Sequence, residues 1–327
     1  AVSCLLYCCV SVAEPTAAEF NAAWREYNAA VDAADTDKTL SAARRVLEIG
    51  RQLMPEADAR LPALISNYAT ALSDTGRQDE ARDMFKASIE LAESIHGKDS
   101  MELIDLLMAE AGASHSTRPG DAPSATFRRV LRIFQKHHGK DSLEYARMAY
   151  LAGSELLNKS QSLAGKPWML DAYEIYTAAG ESHALSVGAT AFYLGRMAFS
   201  QQQERTAVKF LREAVDKLDP GIPVARAMSL PARALLVRIL EDQGRSEEAT
   251  EHCVAIGRDS MFSPDQEYLP VFRMAPRYPQ SLLQARRQGY VDLSFTVDEN
   301  GFVRDPVLLA TSETRAEDIV RAGTQVK

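Results

Sequence analysis

The sequence predicts a mainly α-helical protein that ends in a small α+β domain, and three observations support this. Residues 16 to about 262 are rich in alanine and are punctuated by glycine and proline, as expected of successive helices. The block His-Gly-Lys-Asp-Ser occurs twice in that stretch, at 96–100 and 138–142. Near the C-terminus, apolar and polar residues alternate from Val291 to Val297, which is the period of a half-buried strand. We therefore predict a helical solenoid followed by a helix, a β-hairpin and a helix.

The first 13 residues, AVSCLLYCCVSVA, form an apolar run that ends in Ser11-Val12-Ala13. Small residues at the first and third of those positions are typical of a signal-peptidase site. Because the run has neither an initiator Met nor a basic segment before it, we interpret residues 1–13 as a truncated export signal. The alternative is a short buried helix, which the three cysteines and the absence of a polar face make less natural. If the segment is cleaved, Cys253 has no intrachain partner for a disulfide.

Charge is unevenly distributed along the 327 residues, whose net charge is −8. From Pro270 onward there are eight basic and seven acidic residues, so the helical body carries the excess of negative charge. Nucleic-acid phosphates would be repelled by an acidic body, and we therefore predict no nucleic-acid partner. No apolar run is long enough to span a bilayer, so we expect membrane association only through partners or through a missing N-terminal anchor.

Repeated turns organise the helical body. Each His-Gly-Lys-Asp-Ser block places a glycine where a helix can end and Asp or Ser where the next can be capped. A second pair of near-identical segments, DTGRQDEA at 74–81 and DQGRSEEA at 242–249, separates two further pairs of apolar-periodic stretches. These blocks predict corners between helices, repeated along the chain.

Small residues recur at helical spacing where two helices would cross closely, with large apolar residues between them. Three sets follow this pattern: Ile65, Tyr68, Ala69, Leu72, Gly76, Ala81, Phe85 and Ser88; Ala191, Leu194, Gly195, Ala198, Ala207, Leu211 and Ala214; and Arg233, Leu236, Val237, Leu240, Gly244, Ala249, Cys253 and Ile256. Degenerate second helices are predicted near 125–135 and 172–179. The pattern resembles the tetratricopeptide repeat. That resemblance implies helix pairs stacked into a superhelix whose concave face binds a peptide or another protein.

The same sequence patterns predict the domain boundaries. We place the tetratricopeptide-like repeat domain at 16–262, a linker at 263–270 and the last domain at 271–327. Two polar stretches, Ser114–Pro123 and Asn158–Pro167, are predicted to be long turns between helices, since they are rich in the residues that interrupt regular structure.

An enzyme would need convergent acids, bases or metal ligands, and the sequence offers no such set. The six histidines are isolated or adjacent, and adjacent residues on a helix point about 100° apart. HExxH, CxxC, Gly-x-Ser-x-Gly and Walker motifs are absent. We predict no catalytic residues, no cofactor and no metal, and we interpret Cys253 as a buried, unreactive thiol at a packing position.

The C-terminal stretch predicts a hairpin between two short helices. Tyr278-Pro279 is a helix start, Gly289 is a helix end, and Asn300-Gly301 is a strong turn signal between two extended runs. If Val297 lies opposite Val303, then Val307 faces Leu293 and Leu309 faces Val291. Phe295 would then meet Asp305 beside Pro306, and this mismatch predicts a bulge or a sheet edge.

This order of residues resembles the C-terminal domain of the energy transducer TonB. The matching positions are Pro276, Tyr278-Pro279, Ala285, Gly289, Val291 to Val297, Gly301, Val303 and Ser312. The resemblance implies a periplasmic domain that pairs a strand with an extended segment of an outer-membrane receptor. Partner-contacting residues on this interpretation are Tyr278, Pro279, Tyr290 and Phe302, although Tyr278 could instead pack beneath the hairpin. The family pattern continues into a third strand, so we expect the domain to be incomplete at Lys327.

Three hypotheses follow. The first is a periplasmic TonB-family protein whose repeats bind a protein partner and whose last domain contacts outer-membrane receptors or another envelope protein. The second is an envelope adaptor or scaffold with the same architecture and no role in energy transduction. The third, a hydrolase or metal enzyme, would need a site assembled across several repeats.

Overall fold

A computed structural model describes residues 14–114, 122–159, 161–259, 290–297 and 303–311. The chain divides into two compact units at Ala172 and Tyr173. The predicted signal segment, the linker and most of the last domain lie outside the described residues, so those boundaries stay predictions. Among the helices of the described residues, none is long and apolar enough to cross a membrane.

The first unit is built from antiparallel helices. In chain order they are α1 Ala17–Asp32, α2 Thr36–Leu53, α3 Leu61–Asp74, α4 Gln78–His96, α5 Ile104–Ala113, α6 Pro123–His138 and α7 Leu143–Asn158, with α8 Ser162–Ala178 running across the boundary. A short 3₁₀ turn, Met101–Leu103, precedes α5. The predicted second helices near 125–135 and 172–179 correspond to α6 and to the end of α8.

The second unit contains α9 Ala184–Ser200, α10 Glu204–Lys217, α11 Pro223–Asp242 and α12 Ser246–Asp259, followed by strands β1 Val291–Val297 and β2 Val303–Thr311. In each consecutive pair of helices, from α1–α2 to α11–α12, we term the first the leading helix and the second the trailing helix. The mainly helical fold with tetratricopeptide-like repeats agrees with the sequence prediction.

Helix ends confirm the predicted corners. Helices α4 and α6 end at the histidine of each repeated block, and the glycines that follow, Gly97 and Gly139, have φ of 89° and 86°. Only a residue without a Cβ adopts this conformation without strain. Ser142 then caps α7 by accepting a hydrogen bond from the Tyr145 amide at 3.1 Å. In the first block Ser100 makes no such cap, so the two corners share the glycine that ends the helix but not the serine cap.

The second repeated segment forms the tight turn between a leading helix and its trailing helix. Gly76 and Gly244 have φ of 81° and 72°. The next residue, Arg77 or Arg245, donates two hydrogen bonds to the glutamate three positions later, at 2.7 and 2.5 Å in the first turn and 2.6 and 2.8 Å in the second. These bidentate pairs bring the start of the trailing helix against the turn.

The core of each unit lies between the helices, as the repeat pattern predicts. Phe85 is 2% exposed and packs with Leu72 and Ala81, while the hydroxyl of the buried Ser88 donates to the Pro62 carbonyl at 2.7 Å. In the second unit the corresponding core contains Leu194, Leu211, Leu236 and Leu240, all at most 1% exposed. The largest fully buried side chains include Phe85, Phe127, Leu103, Ile133, Leu156, Met169 and Met197.

Helices α9 and α10 pack unusually closely at two glycines. A Cβ added to Gly195 would lie 2.7 Å from the Leu211 Cγ, and one added to Gly188 would lie 2.7 Å from the Leu218 Cγ. Both leucines are at most 1% exposed. Each glycine therefore provides the space that a leucine of the facing segment fills, as expected of helices that cross closely.

One predicted turn is wrong. Of the stretch Asn158–Pro167, Ser162 onward belongs to α8, and Pro167 lies inside that helix. As the sixth residue of α8, proline removes one intrahelical hydrogen bond, so local propensity does not explain the helix there. Close packing favours the helix: a Cβ on Gly165 would lie 3.1 Å from the Gly153 Cα of α7. The other predicted turn, Ser114–Pro123, lies mostly outside the described residues.

The two described strands form an antiparallel ribbon, which confirms the predicted hairpin strands and the pairing of Val297 with Val303. The predicted register beyond that pair is wrong, because Leu293 pairs with Leu308 and Val291 with Thr311. Two register shifts add two residues to β2 relative to β1. One shift lies at the predicted bulge, where Asp305 has φ of 48°.

Candidate functional site

The leading helices of neighbouring repeats contact one another within each unit, α3 with α5 in the first and α9 with α11 in the second. Their packing faces are buried against the trailing helices, and their remaining face is left to solvent. We term this the leading-helix face. It is the surface on which a repeat array can hold an extended partner, because it runs continuously from one repeat to the next.

In the first unit this face is polar and acidic. On α3 it presents Ala63, Asn67, Thr70 and Asp74, which recur at helical spacing and are at least partly exposed. The four leading helices α1, α3, α5 and α7 contain eight acidic residues and two arginines. Burial, followed by the negative charge of Asp74, raises the pKa of Tyr27 on α1. The first unit therefore repels anions along this face.

In the second unit the leading-helix face is different. Helix α9 has one charged residue, Arg196, and no acidic residue. The guanidinium carbon of Arg196 lies 5.5 Å from the ring centroid of Phe192 and 5.7 Å from that of Tyr193. These are cation–π distances, so the two rings hold the guanidinium in place.

A second arginine joins this surface from the next repeat. Arg238 of α11 is exposed, and its guanidinium carbon lies 5.3 Å above the ring centroid of Phe199 on α9. Because Phe199 and Arg196 are three residues apart on α9, they are neighbours on the helix surface. We term Phe192, Tyr193, Arg196, Phe199 and Arg238 the arginine–aromatic patch. Neither of its arginines forms an ion pair with a carboxylate within the described residues.

A polar cluster lies between α11 and α12. Arg233 approaches His252, with Nη1 and Nδ1 3.4 Å apart, while the Arg233 Nε is buried without a hydrogen-bond partner. Burial, and then the charges of Arg233 and Arg212, lower the pKa of His252 to about 4. Burial also lowers the pKa of Arg233. Neighbouring Cys253 is partly buried rather than fully buried as predicted.

The four predicted partner-contacting residues can be placed only in part. Tyr290, at the entry to β1, is 58% exposed. Tyr278, Pro279 and Phe302 lie outside the described residues. On the ribbon itself Phe295, Val307 and Leu309 are also exposed, so the described strands present apolar side chains to solvent.

The arginine–aromatic patch was missed at the sequence level, although a signal was available. Arg196 lies between Gly195 and Ala198 of the repeat pattern, and Phe199 follows Ala198, so the pattern leaves both positions of α9 unassigned. An arginine and an aromatic three residues apart on a free helix face indicate a surface feature. The stacking of Arg238 on Phe199 could not be predicted, since it depends on how closely two repeats approach.

Within the described ranges, no group of three or more His, Cys, Asp or Glu side chains gathers where it could hold a metal ion. The histidines there have other contacts: the His137 Nε2 lies 2.8 Å from the Asp99 carbonyl oxygen, and the His138 ring lies 5.5 Å from that of Phe134. These contacts belong to the helix corners.

Comparison with known proteins identifies the repeat type at one position. Residues 63–100, which span α3, α4 and the corner after them, match the model of the tetratricopeptide repeat family. No curated protein matches the chain. Among solved structures, the crystal structure of BtubC (BKLC) from P. vanneervenii is 15% identical, with a TM-score of 0.48, over 78% of this chain and 98% of that one. The assembly chaperone of RpL4 (Acl4), residues 1–338, is 17% identical, with a TM-score of 0.39, over 73% and 90% respectively. The α3–α4 pair is thus similar to a tetratricopeptide repeat, a module of protein–protein interaction.

Proposed function

We propose that this chain is a non-catalytic protein-binding scaffold of the periplasm. One observation carries the proposal: leading helices α3 and α5, and likewise α9 and α11, contact each other and leave one face exposed, and α3 belongs to a repeat that matches the tetratricopeptide family. A stack of this kind offers a long surface built from few residues per repeat, which suits an extended segment of another protein. Export is inferred from the apolar run that ends at Ser11-Val12-Ala13.

We further propose that the C-terminal domain acts as a TonB-like module that contacts an outer-membrane receptor segment. The support is the antiparallel ribbon formed by Val291–Val297 and Val303–Thr311, together with the exposed apolar side chains of Tyr290, Phe295, Val307 and Leu309. In strand addition the backbone supplies affinity and alternate side chains supply selectivity. Exposed apolar residues on such a ribbon would cover the added strand.

Receptor contact is tested with peptides from the plug segments of outer-membrane receptors, added to the immobilised full chain. The double variant Phe295→Asp/Leu309→Asp places charges at two exposed apolar positions of the ribbon. We expect it to weaken peptide binding about tenfold or more, since charges at an apolar contact are strongly unfavourable. The matched control is Leu163→Asp on α8, where the side chain is 74% exposed. It should leave the affinity within about twofold of wild type.

Two results separate the parts of the proposal. If no plug peptide binds above a scrambled peptide, receptor contact is wrong, and a repeat adaptor without a transducing role takes its place. A second variant replaces exposed residues of the leading-helix face. If a protein partner captured from the periplasmic fraction binds this variant as well as wild type, the proposal that the repeats bind protein is wrong. Mass spectrometry of the exported protein tests cleavage after Ala13, which the export proposal requires.

A further inference from the structure

Two arginines on the second unit's leading-helix face stack on aromatic rings and have no ion-pair partner among the residues that the structure describes. Arg196 lies over Phe192 and Tyr193, and Arg238 lies over Phe199. In the described part of this unit three other arginines pair with acids: Arg245 with Glu248, Arg212 with Glu248 and Arg258 with Asp259. The two patch arginines differ from these three in contacting aromatic rings rather than carboxylates.

Stacking leaves the hydrogen-bonding capacity of a guanidinium unused. A ring covers the flat face of the group, while its N–H donors project from the edge in a planar fork that matches a carboxylate. A stacked arginine also has less rotamer freedom to lose when it binds. Both effects favour an anion that arrives from solvent and meets the edge of the fork.

Charge on the leading helices selects where such an anion can bind. Helices α9 and α11 together contain four arginines and two acidic residues, and both acids are at the last two positions of α11. The leading helices of the first unit contain eight acids and two arginines. Among the leading helices, those of the second unit therefore favour an acidic ligand over those of the first.

We propose that the arginine–aromatic patch binds an acidic, extended segment of a protein partner, with one carboxylate at Arg196 and another at Arg238. The proposal rests on the function proposed above, that the repeats bind protein, and it names the chemistry of that partner. Aromatic rings between the two arginines would contact the aliphatic parts of the segment. Because residues two apart in an extended chain lie about 7 Å apart on one side, alternating acidic residues fit two neighbouring arginines.

A protein segment is favoured over nucleic acid by the small number of cations in the patch. Its two arginines are few compared with the several phosphate contacts that nucleic-acid binding requires. Two carboxylates side by side are enough to satisfy both guanidiniums.

The test uses the full chain and a fluorescein-labelled peptide of alternating glutamate and serine, followed by fluorescence anisotropy at low ionic strength. Arg196→Gln/Arg238→Gln should raise the Kd at least about tenfold, because two charge-assisted hydrogen-bonded contacts are lost. The control, Arg205→Gln/Lys209→Gln, removes the same charge from exposed positions of α10. It should change the Kd less than about twofold, apart from long-range screening effects. Thermal melting by circular dichroism verifies that both variants fold.

A third variant separates charge from geometry. Arg196→Lys/Arg238→Lys keeps the charge but not the planar fork, so we expect a loss of about threefold, between the other two variants. Three results would each overturn the proposal: wild type fails to bind the glutamate peptide, the matching glutamine peptide binds equally well, or the Arg→Gln and control variants behave alike. Tighter binding of a single-stranded oligonucleotide than of the peptide would assign the patch to nucleic acid instead. In all four cases capture of a periplasmic partner by the repeats remains a separate measurement of the proposed function.

Discussion

Helix pairs α3–α4 and α11–α12 share a turn but differ in their interior. In both, a glycine with positive φ is followed by an arginine that forms a bidentate pair with a glutamate three residues later. Aligned on this turn, three interior positions differ in kind: Ile65, Met84 and Phe85 in the first pair, Arg233, His252 and Cys253 in the second.

The difference shows that turn and interior are specified separately. All interactions that define the turn lie within eight consecutive residues, so they form wherever those residues occur. The interior depends instead on which helices pack outside the pair. In α3–α4 the Phe85 ring is packed in the interior and is 2% exposed. In α11–α12 the interior contains Arg233, whose Nε is buried without a partner. A shared turn therefore does not require a shared core.

The largest expected change in the free energy of unfolding comes from replacing Phe85 or Cys253, which occupy the same aligned position of the two pairs, by alanine. Phe85→Ala leaves a cavity and should reduce the free energy of unfolding by about 3–5 kcal/mol. Cys253→Ala removes one partly buried sulfur and should cost less than about 1 kcal/mol. Urea unfolding followed by far-ultraviolet circular dichroism measures both. Similar costs for the two variants would mean that the interiors are equivalent after all.

The turns should respond alike, with a smaller effect. Gly76→Ala and Gly244→Ala force a Cβ into the left-handed region, and each should cost about 1–2 kcal/mol. Gly112→Ala is the control, since Gly112 lies in α5 with nothing near its added Cβ. There alanine should stabilise by about 0.5–1 kcal/mol. Urea unfolding measures all three variants. Clearly different losses of stability in Gly76→Ala and Gly244→Ala would show that the interior of the pair influences the turn.

A still smaller effect should appear as a pH dependence confined to the second pair. Burial lowers the pKa of His252 to about 4, below the 6.5 of an ordinary histidine. The unfolded chain therefore takes up a proton that the folded chain does not, and stability falls as the pH drops from about 6.5 towards 4.

With allowance for solvent screening, the loss between pH 7 and pH 5 should be about 1 kcal/mol. His252→Met, which restores the residue type of Met84, should abolish this part of the pH dependence. Parallel urea titrations at the two pH values provide the measurement. If the free energy of unfolding of the variant falls with pH as steeply as that of wild type, His252 has the same protonation in the folded and the unfolded chain.

Much of the helical body could be predicted because its signals are local. Helix corners follow from Gly97 and Gly139, and the crossing positions follow from residues such as Ala69 and Ala81, both at most 2% exposed. The helical role of Pro167 could not be predicted, since it depends on the contact between Gly153 and Gly165, which neither stretch of sequence shows alone.

The hairpin and the patch show the same limit. Alternation located both strands and the bulge at Asp305, but that bulge moves the partner of Leu293 by one residue, and a second shift moves the partner of Val291 by two. A periodic pattern cannot count extra residues in a strand. The patch depends on the contact between Arg238 and Phe199, which belong to different repeats. Long-range contacts of this kind determine the candidate site more than any motif does.

Leu211 packs against Gly195, and Leu218 packs against Gly188. These contacts affect how much the connection between α9 and α10 can change. The two contacts are seven residues apart on both segments, so together they fix the longitudinal alignment of the helices without help from the link at 201–203. We therefore expect the link to tolerate insertions, because residues added there would extend into solvent and leave the packing of α9 against α10 unchanged. Because Phe199 of the arginine–aromatic patch lies two residues before that link, a reporter domain inserted there would lie beside the patch.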